Sequence, residues 1–300
     1  MSEAIRVSTL RVNGIDLGLR AMGAPDAPLL LFLHGFPEHA GAWDEILPAF
    51  AGRWHAVAPD QRGYAASSKP AGLESYRIKH LVRDVLGLAE ALSPGRPFVL
   101  VAHDWGASVA YATAIAAPAR VSRLVILNGV HPGPFQKALL EDEAQRAASL
   151  YMHLLRDPGA EAVLSANNYE KLLAMLTRFG EPAWLTPQRK EAYLAAWSQP
   201  GALTGMLNWY RATPLVIPRP GEAVGAAQAP ALDPAQLRIR MPHLLLWGMR
   251  DQALLPVSRA TLADYCDDLT VREFPDADHW IVHQQPAAVI EVIATFLDRP

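Results

Sequence analysis

The chain is short of cysteine, short of charge and free of long apolar runs. A single cysteine, Cys266, excludes an internal disulfide framework and a multi-cysteine zinc or iron–sulfur centre. Charged residues make up 19% of the chain and the net charge is −3, so no dominant basic face for nucleic acid or anionic lipid is expected. No uncharged apolar stretch reaches the roughly 18 residues that a membrane span needs. The N-terminus, Met1-Ser2-Glu3-Ala4-Ile5-Arg6, lacks the apolar run of a secretory signal, and a cytoplasmic protein is the expectation. No Gly-rich phosphate cradle and no His-Glu-x-x-His pattern occurs, so neither a cofactor nor a metal is expected. What is present is 300 residues, 51% hydrophobic, enough to bury a large core.

Short apolar runs alternate with helical periodicity. Leu29–Leu33, Trp54–Ala58, Phe98–Ala102 and Leu124–Leu127 read as buried strands. Between the second and third, Ile78, Leu81, Val82, Val85, Ala89 and Leu92 recur at helical spacing and fall on one face. This alternation predicts an α/β fold with a mostly parallel sheet. From about residue 131 to 216 no run reads as a strand, and Pro158, Pro182, Pro187 and Pro200 divide the segment into short helices. Ile217–Gln236, rich in proline and alanine, reads as a return linker. His243–Trp247 and Leu269–Phe274 then resume the strands, and Val289, Ile293, Phe296 and Leu297 mark a last helix with Pro286 in its first turn. The expected organisation is a core from 1–130 and 238–300, interrupted at 131–237 by a helical cap and its linker. An insertion at the C-terminal edge of an open α/β sheet is placed to cover the binding crevice.

The chemistry starts at Ala102-His103-Asp104-Trp105-Gly106, where an apolar run enters and a helical run leaves. Small residues flank the central Asp104, the spacing of a nucleophile elbow, whose sharp turn brings strand and helix backbones together. The plainer alternative is a strand-to-helix turn with Asp104 as N-cap. A nucleophile needs a base, and the base an orienting acid. His279 follows the last predicted strand and Asp251 follows the strand before it. Asp264, Asp267, Asp268, Asp276 and Asp278 are the alternatives to Asp251, but they lie farther from a strand end. His34-Gly35-Phe36-Pro37-Glu38 follows the first buried strand, and its glycine lets the chain turn a backbone N–H toward the nucleophile. The amides of Phe36 and Trp105 are the candidate oxyanion hole. His103 is expected in a supporting hydrogen bond, and Glu38 with Arg62 in a supporting pair.

In the order nucleophile, acid, histidine, the chain resembles the α/β-hydrolase superfamily along nearly its whole length, with Asp60-Gln61-Arg62-Gly63-Tyr64 as a further landmark. It is most similar to the aspartate-nucleophile branch: epoxide hydrolases, haloalkane dehalogenases and fluoroacetate dehalogenases. The physical reason for aspartate is the substrate. A carboxylate attacking a saturated carbon leaves an ester that water can cleave, whereas a serine would leave an ether. Asp104 therefore argues for an electrophilic sp³ carbon and against ordinary esters.

The leaving group separates the members of that branch. Opening an epoxide develops an alkoxide that needs a proton donor, and a tyrosine is protonated at neutral pH yet able to donate. The resemblance to epoxide hydrolases implies this role for Tyr210, in Asn208-Trp209-Tyr210-Arg211, and for Tyr151, upstream of Pro158. Tyr169 and Tyr193 compete. Halide departure needs N–H donors instead. Haloalkane dehalogenases commonly carry Asn after the His-Gly pair, where this chain has Phe36, and Trp105 occurs in both groups. Fluoroacetate dehalogenases carry arginines at the places held here by Trp105 and Ser108, so a haloacid is disfavoured unless Arg156, Arg178 or Arg211 supplies the cation. The expectation is an enzyme that opens an epoxide to a vicinal diol. Its substrate would be small, apolar and electrophilic, held by Trp105, Phe36 and Trp209. Trp184, Trp197, Met206 and Phe135 are further lining candidates. A dehalogenase and a non-catalytic ligand-binding protein are the rivals, and monomer or homodimer is left open.

Overall fold

A computed structural model describes residues 4–178, 182–222 and 232–299. Its centre is an eight-stranded sheet: β1 (Arg6–Val12), β2 (Ile15–Met22), β3 (Leu29–Leu33), β4 (His55–Pro59), β5 (Phe98–His103), β6 (Val121–Leu127), β7 (His243–Gly248) and β8 (Leu269–Phe274), in the order β1-β2-β4-β3-β5-β6-β7-β8. β2 runs antiparallel to both neighbours and the rest are parallel. The predicted strands are all present, with shifted ends at β4, β5, β6 and β7. The hairpin β1–β2 was not anticipated. Its turn is Asn13-Gly14, both at positive φ (51° and 76°), as a tight hairpin of matching twist requires.

The inner strands are buried on both faces. In β3, Leu29, Leu31 and Leu33 enter one core and Leu30 and Phe32 the other. β5 divides Phe98, Leu100 and Ala102 from Val99 and Val101 in the same way. Helices α1 (Leu47–Phe50), α2 (Ile78–Leu92) and α3 (Trp105–Ala116) fall between strands up to β6. In α2 Leu81, Val82, Val85 and Ala89 are buried as predicted, but Ile78, in the first turn, is 42% exposed.

Between β6 and β7 lie α4 (Pro132–Glu141), α5 (Glu143–Ala148), α6 (Tyr151–Arg156), α7 (Ala160–Leu176), α8 (Pro187–Trp197) and α9 (Ala202–Ala212), with no strand among the described residues. The prolines act as punctuation. Pro187 opens α8, where the Thr186 side chain accepts from the Arg189 amide, and Pro132 opens α4. α7 is broken at Asn167, Asn168 and Tyr169, all at positive φ. Part of the expected linker, residues 223–231, lies outside the described residues. After β8 come α10 (Ile281–Gln284) and α11 (Pro286–Leu297), the latter with Val289, Ile293, Phe296 and Leu297 all buried. Among the described residues no helix is long and apolar enough to cross a membrane.

The connectivity places the site. β3 lies between β4 and β5, so the chain leaves β3 to one side and later returns to the other. A crevice at the C-terminal edge opens at such a reversal, and the loops after β3 and β5 are those that carry Phe36 and Asp104. Gly106 lets α3 start against β3: a Cβ there would stand 2.5 Å from the Leu33 carbonyl oxygen and 2.6 Å from that of His34. Both obstacles are backbone, so Gly106→Ala is expected to destabilise the fold by about 1–3 kcal/mol. Urea unfolding should show this as a lower midpoint at unchanged slope.

Candidate active site

Asp104 sits between β5 and α3 with φ 50° and ψ −121°, a conformation that costs a non-glycine residue roughly 1–3 kcal/mol. The turn presents the carboxylate to the crevice, and the first turn of α3 closes through Ala107 N–H donating to the Asp104 carbonyl at 3.0 Å. Gly35 makes room, since a Cβ there would fall 2.3 Å from the Cβ of Asp104. The Phe36 amide then donates to Asp104 Oδ1 at 2.7 Å, while His279 Nε2 lies 3.5 Å from Oδ2. Trp105, whose amide opens α3, follows directly.

His279 Nδ1 stands 2.7 Å from Asp251 Oδ2. Asp251 is buried and fully engaged. Its Oδ1 accepts from the amides of Ala253 (2.8 Å) and Leu254 (2.9 Å), and its Oδ2 from Asn128 Nδ2 (2.8 Å) as well as the imidazole. Three of the five rival aspartates are occupied elsewhere. Asp267 pairs with Arg238 and Asp276 with Arg250, both at the surface, and Asp278 caps its own turn at Trp280. Asn128 was missed in the sequence. It stands one residue past β6 at φ 32°, and its Oδ1 accepts from the Gly248 amide at 2.7 Å, tying β6 to the loop of Asp251. An asparagine directly after a buried strand was the available signal.

Burial opposes charge on His279, but Asp251 and Asp104 together hold its pKa well above the ordinary histidine value. Burial likewise opposes charge on Asp104, and the hydrogen bond and charge of His279, with help from His103 and the Phe36 amide, keep its carboxyl below the usual range. The resting pair is therefore an ion pair.

Tyr210 is wedged between Phe36 and Trp105, edge-on to both rings at 5.0 Å, and Tyr151 lies 6.4 Å from it. Burial raises the pKa of both phenols, helped by the charge of Asp104 at Tyr151 and by Tyr151 and Asp104 at Tyr210, so both keep their protons. The competing tyrosines are committed to the protein: Tyr169 donates to the Trp197 carbonyl and Tyr193 to Glu38. Trp209 packs 6.1 Å from Trp105 but gives its N–H to the Arg62 carbonyl at 2.9 Å. Of the lining candidates, Met206 and Phe135 are buried, Trp184 stacks on His283 at 4.3 Å, and Trp197 donates to the Pro37 carbonyl at 2.6 Å.

The expected pair of Glu38 with Arg62 is not formed. Arg62 turns toward α2 and makes a two-point ion pair with Asp84 at 2.7 and 2.8 Å. Glu38 turns under the site instead, where His283 (2.6 Å), Tyr193 (2.8 Å) and His103 (3.3 Å) surround it. His283 and His103 hold its pKa well below the usual value although burial pushes it up. His103 also reaches the His279 carbonyl at 2.8 Å, the supporting hydrogen bond expected of it.

The sheet order and these loops match a known architecture. A family model for the alpha/beta hydrolase fold matches residues 28–286. The chain belongs to that family. An α/β hydrolase superfamily protein of Bacillus subtilis, YfhM, is 34% identical, covering 98% of this chain and 99% of that protein. Human epoxide hydrolase 4 is 32% identical, covering 94% of this chain and 76% of that protein. Among solved structures, one from work on novel epoxide hydrolases in metagenomes from hot environments superposes with a TM-score of 0.90 at 34% identity, covering 99% of this chain and 100% of that one. This α/β hydrolase is an enzyme of the epoxide hydrolase-like kind.

Proposed function

We propose that this α/β hydrolase converts an epoxide to a vicinal diol through an ester on Asp104, with the helical insertion as its lid. One observation carries the reading: a carboxylate at the elbow has the Phe36 amide on one oxygen and His279 beside the other. Asp104 attacks a ring carbon and the carbon–oxygen bond opens. Tyr151 and Tyr210, across the crevice, supply hydrogen bonds and a proton to the departing oxygen. Their raised pKa values do not prevent this, because an alkoxide is more basic still.

Esterification removes the charge of Asp104, one of the two anions that keep His279 protonated. Its pKa falls, its proton passes to the tyrosinate left by ring opening, and the neutral imidazole becomes a base for water, still oriented by Asp251. Water attacks the side-chain carbonyl of Asp104, and the amides of Phe36 and Trp105 receive the oxyanion. Collapse expels the diol oxygen, which takes the proton of the regenerated carboxyl. The proton taken from the water stays on His279, beside ionised Asp104, and the resting ion pair is restored.

Oxygen labelling tests the ester. With enzyme in excess over epoxide in ¹⁸O-water, the diol of a single turnover should be unlabelled and the label should lie in Asp104. Label in the first-turnover diol would mean that water attacks the ring directly. Phe36 in place of a halide-binding side chain supports epoxide over halide, as does the engagement of Arg156 and Arg211 within the protein.

A further inference from the structure

Asn128 takes no part in the steps above, yet it touches the acid of the site. It is fully buried, and its backbone N–H donates to the Leu246 carbonyl at 3.0 Å. Its φ of 32° lies where asparagine is found more often than most residues. The neighbours settle which way its amide points. The Gly248 N–H donates to Oδ1 at 2.7 Å, so the other end is the NH2 group. That group lies 2.8 Å from Asp251 Oδ2 and 3.3 Å from the Gly248 carbonyl. Gly248 in turn lies against the chain just before the base: a Cβ on it would fall 2.2 Å from the Asp278 carbonyl oxygen. One side chain thus donates to the acid and clamps the backbone between the acid and His279.

The shared oxygen is the point of chemical interest. Asp251 Oδ2 takes both the Asn128 N–H and His279 Nδ1, the latter at 2.7 Å. An N–H on a carboxylate oxygen draws on the same negative charge that holds the proton on the imidazole. His279 has to be charged beside Asp104 at rest and neutral in the ester. Asp104 loses its charge on esterification, so Asp251 is the anion whose pull then decides how readily the proton leaves. The other groups around His279 are engaged differently. His103 meets the His279 carbonyl and Glu38, and Glu38 is shared with His283 and Tyr193. Arg250, next to Asp251 in the chain, pairs with Asp276 at the surface, and Tyr151 and Tyr210 lie across the crevice.

We propose that Asn128 is a positioning residue for the second half-reaction, sharing the Asp251 oxygen with His279 so that the imidazole gives up its proton once Asp104 is esterified. The proposal rests on the ester reading above.

The test uses Asn128→Ala and Asn128→Gly, which both remove the donor, glycine being at ease with the positive φ. In single turnovers with enzyme in excess, the ester on Asp104 is followed by quenching and intact-protein mass spectrometry as a function of pH. In the wild type, ester decay should quicken with pH to a plateau. In the variants Asp251 pulls harder on the proton, so the rising limb should move up by about one pH unit. Decay on the acid side should be about tenfold slower and recover to the wild-type plateau at alkaline pH. Ester formation should keep its wild-type rate. A residue that merely ties the loops predicts the opposite sign. With Asp251 loosened, His279 loses an anion, the limb moves down and the plateau falls without recovery. That result, or an unmoved limb, would overturn the proposal. If only the glycine variant folds, by circular dichroism, its limb decides; if neither folds, Asn128 is a tie of the fold and the proposal fails. A wild type that forms no ester overturns the ester reading itself, and this proposal with it.

Discussion

His279→Gln is expected to stall with the substrate carbon bonded to Asp104. The first step needs only an ionised carboxylate in position, and the Phe36 amide at 2.7 Å remains to hold it. The variant removes the cation that most favours ionised Asp104, so its carboxyl pKa rises, and incubation on the alkaline side of neutrality keeps it charged. The second step has lost its base, and turnover should fall by at least about 10⁴-fold. Glutamine preserves much of the volume and an N–H for Asp251, so the loop is expected to stay in place. Intact-protein mass spectrometry should find an adduct equal to the whole epoxide mass, absent when Asp104→Ala is added. An adduct from haloalkanes only, short by one halogen, would move the chain to the dehalogenases. Tight binding with no adduct from any compound would favour a ligand-binding protein. In the wild type the hydrolytic step should quicken as pH rises through the His279 pKa of the ester. That pKa lies below the free-enzyme value, because one raising anion is gone.

The strands and the residues after them were legible because inner strands of a parallel sheet are unbroken apolar runs, and their C-terminal ends carry the site. Asp104 and Asp251 each stand within a few residues of such an end, and His279 follows the edge strand β8. β1 and β2 were less visible: they lie toward one edge, β1 is mostly exposed, and Thr9, Asp16 and Arg20 dilute their pattern, although Asn13-Gly14 announced the turn. Side-chain pairing between loops was not legible. Glu38 and Arg62 are both buried and oppositely charged, yet each finds a nearer partner from another element: His283 on α10 and Asp84 on α2. Sequence distance carries no information about which way two loops turn. Arg156 and Arg211 show the same limit, since only the folded chain shows that both are occupied within the protein.

Replacing both Tyr151 and Tyr210 with phenylalanine should abolish epoxide opening while the fold persists. The rings supply the packing, including the contacts of Tyr210 with Phe36 and Trp105 at 5.0 Å, and phenylalanine keeps them. What is lost is the hydroxyl pair facing the leaving oxygen. A positioned proton donor contributes about 10²–10⁴-fold, and each single variant should lose only part of this because the other phenol still serves. The loss should fall on the first half-reaction. In the His279→Gln background, adduct formation from an epoxide should slow by the full factor. An alkyl halide that reacts at all should lose little, because halide leaves as an anion and takes no proton. Comparing the two leaving groups in one variant separates proton donation from damage to the site, since misplacing Asp104 would slow both. If epoxide opening survived in the double variant, the proton would come from solvent and the tyrosines would be packing residues. The epoxide reading would then have to rest on Asp104 and His279 without them.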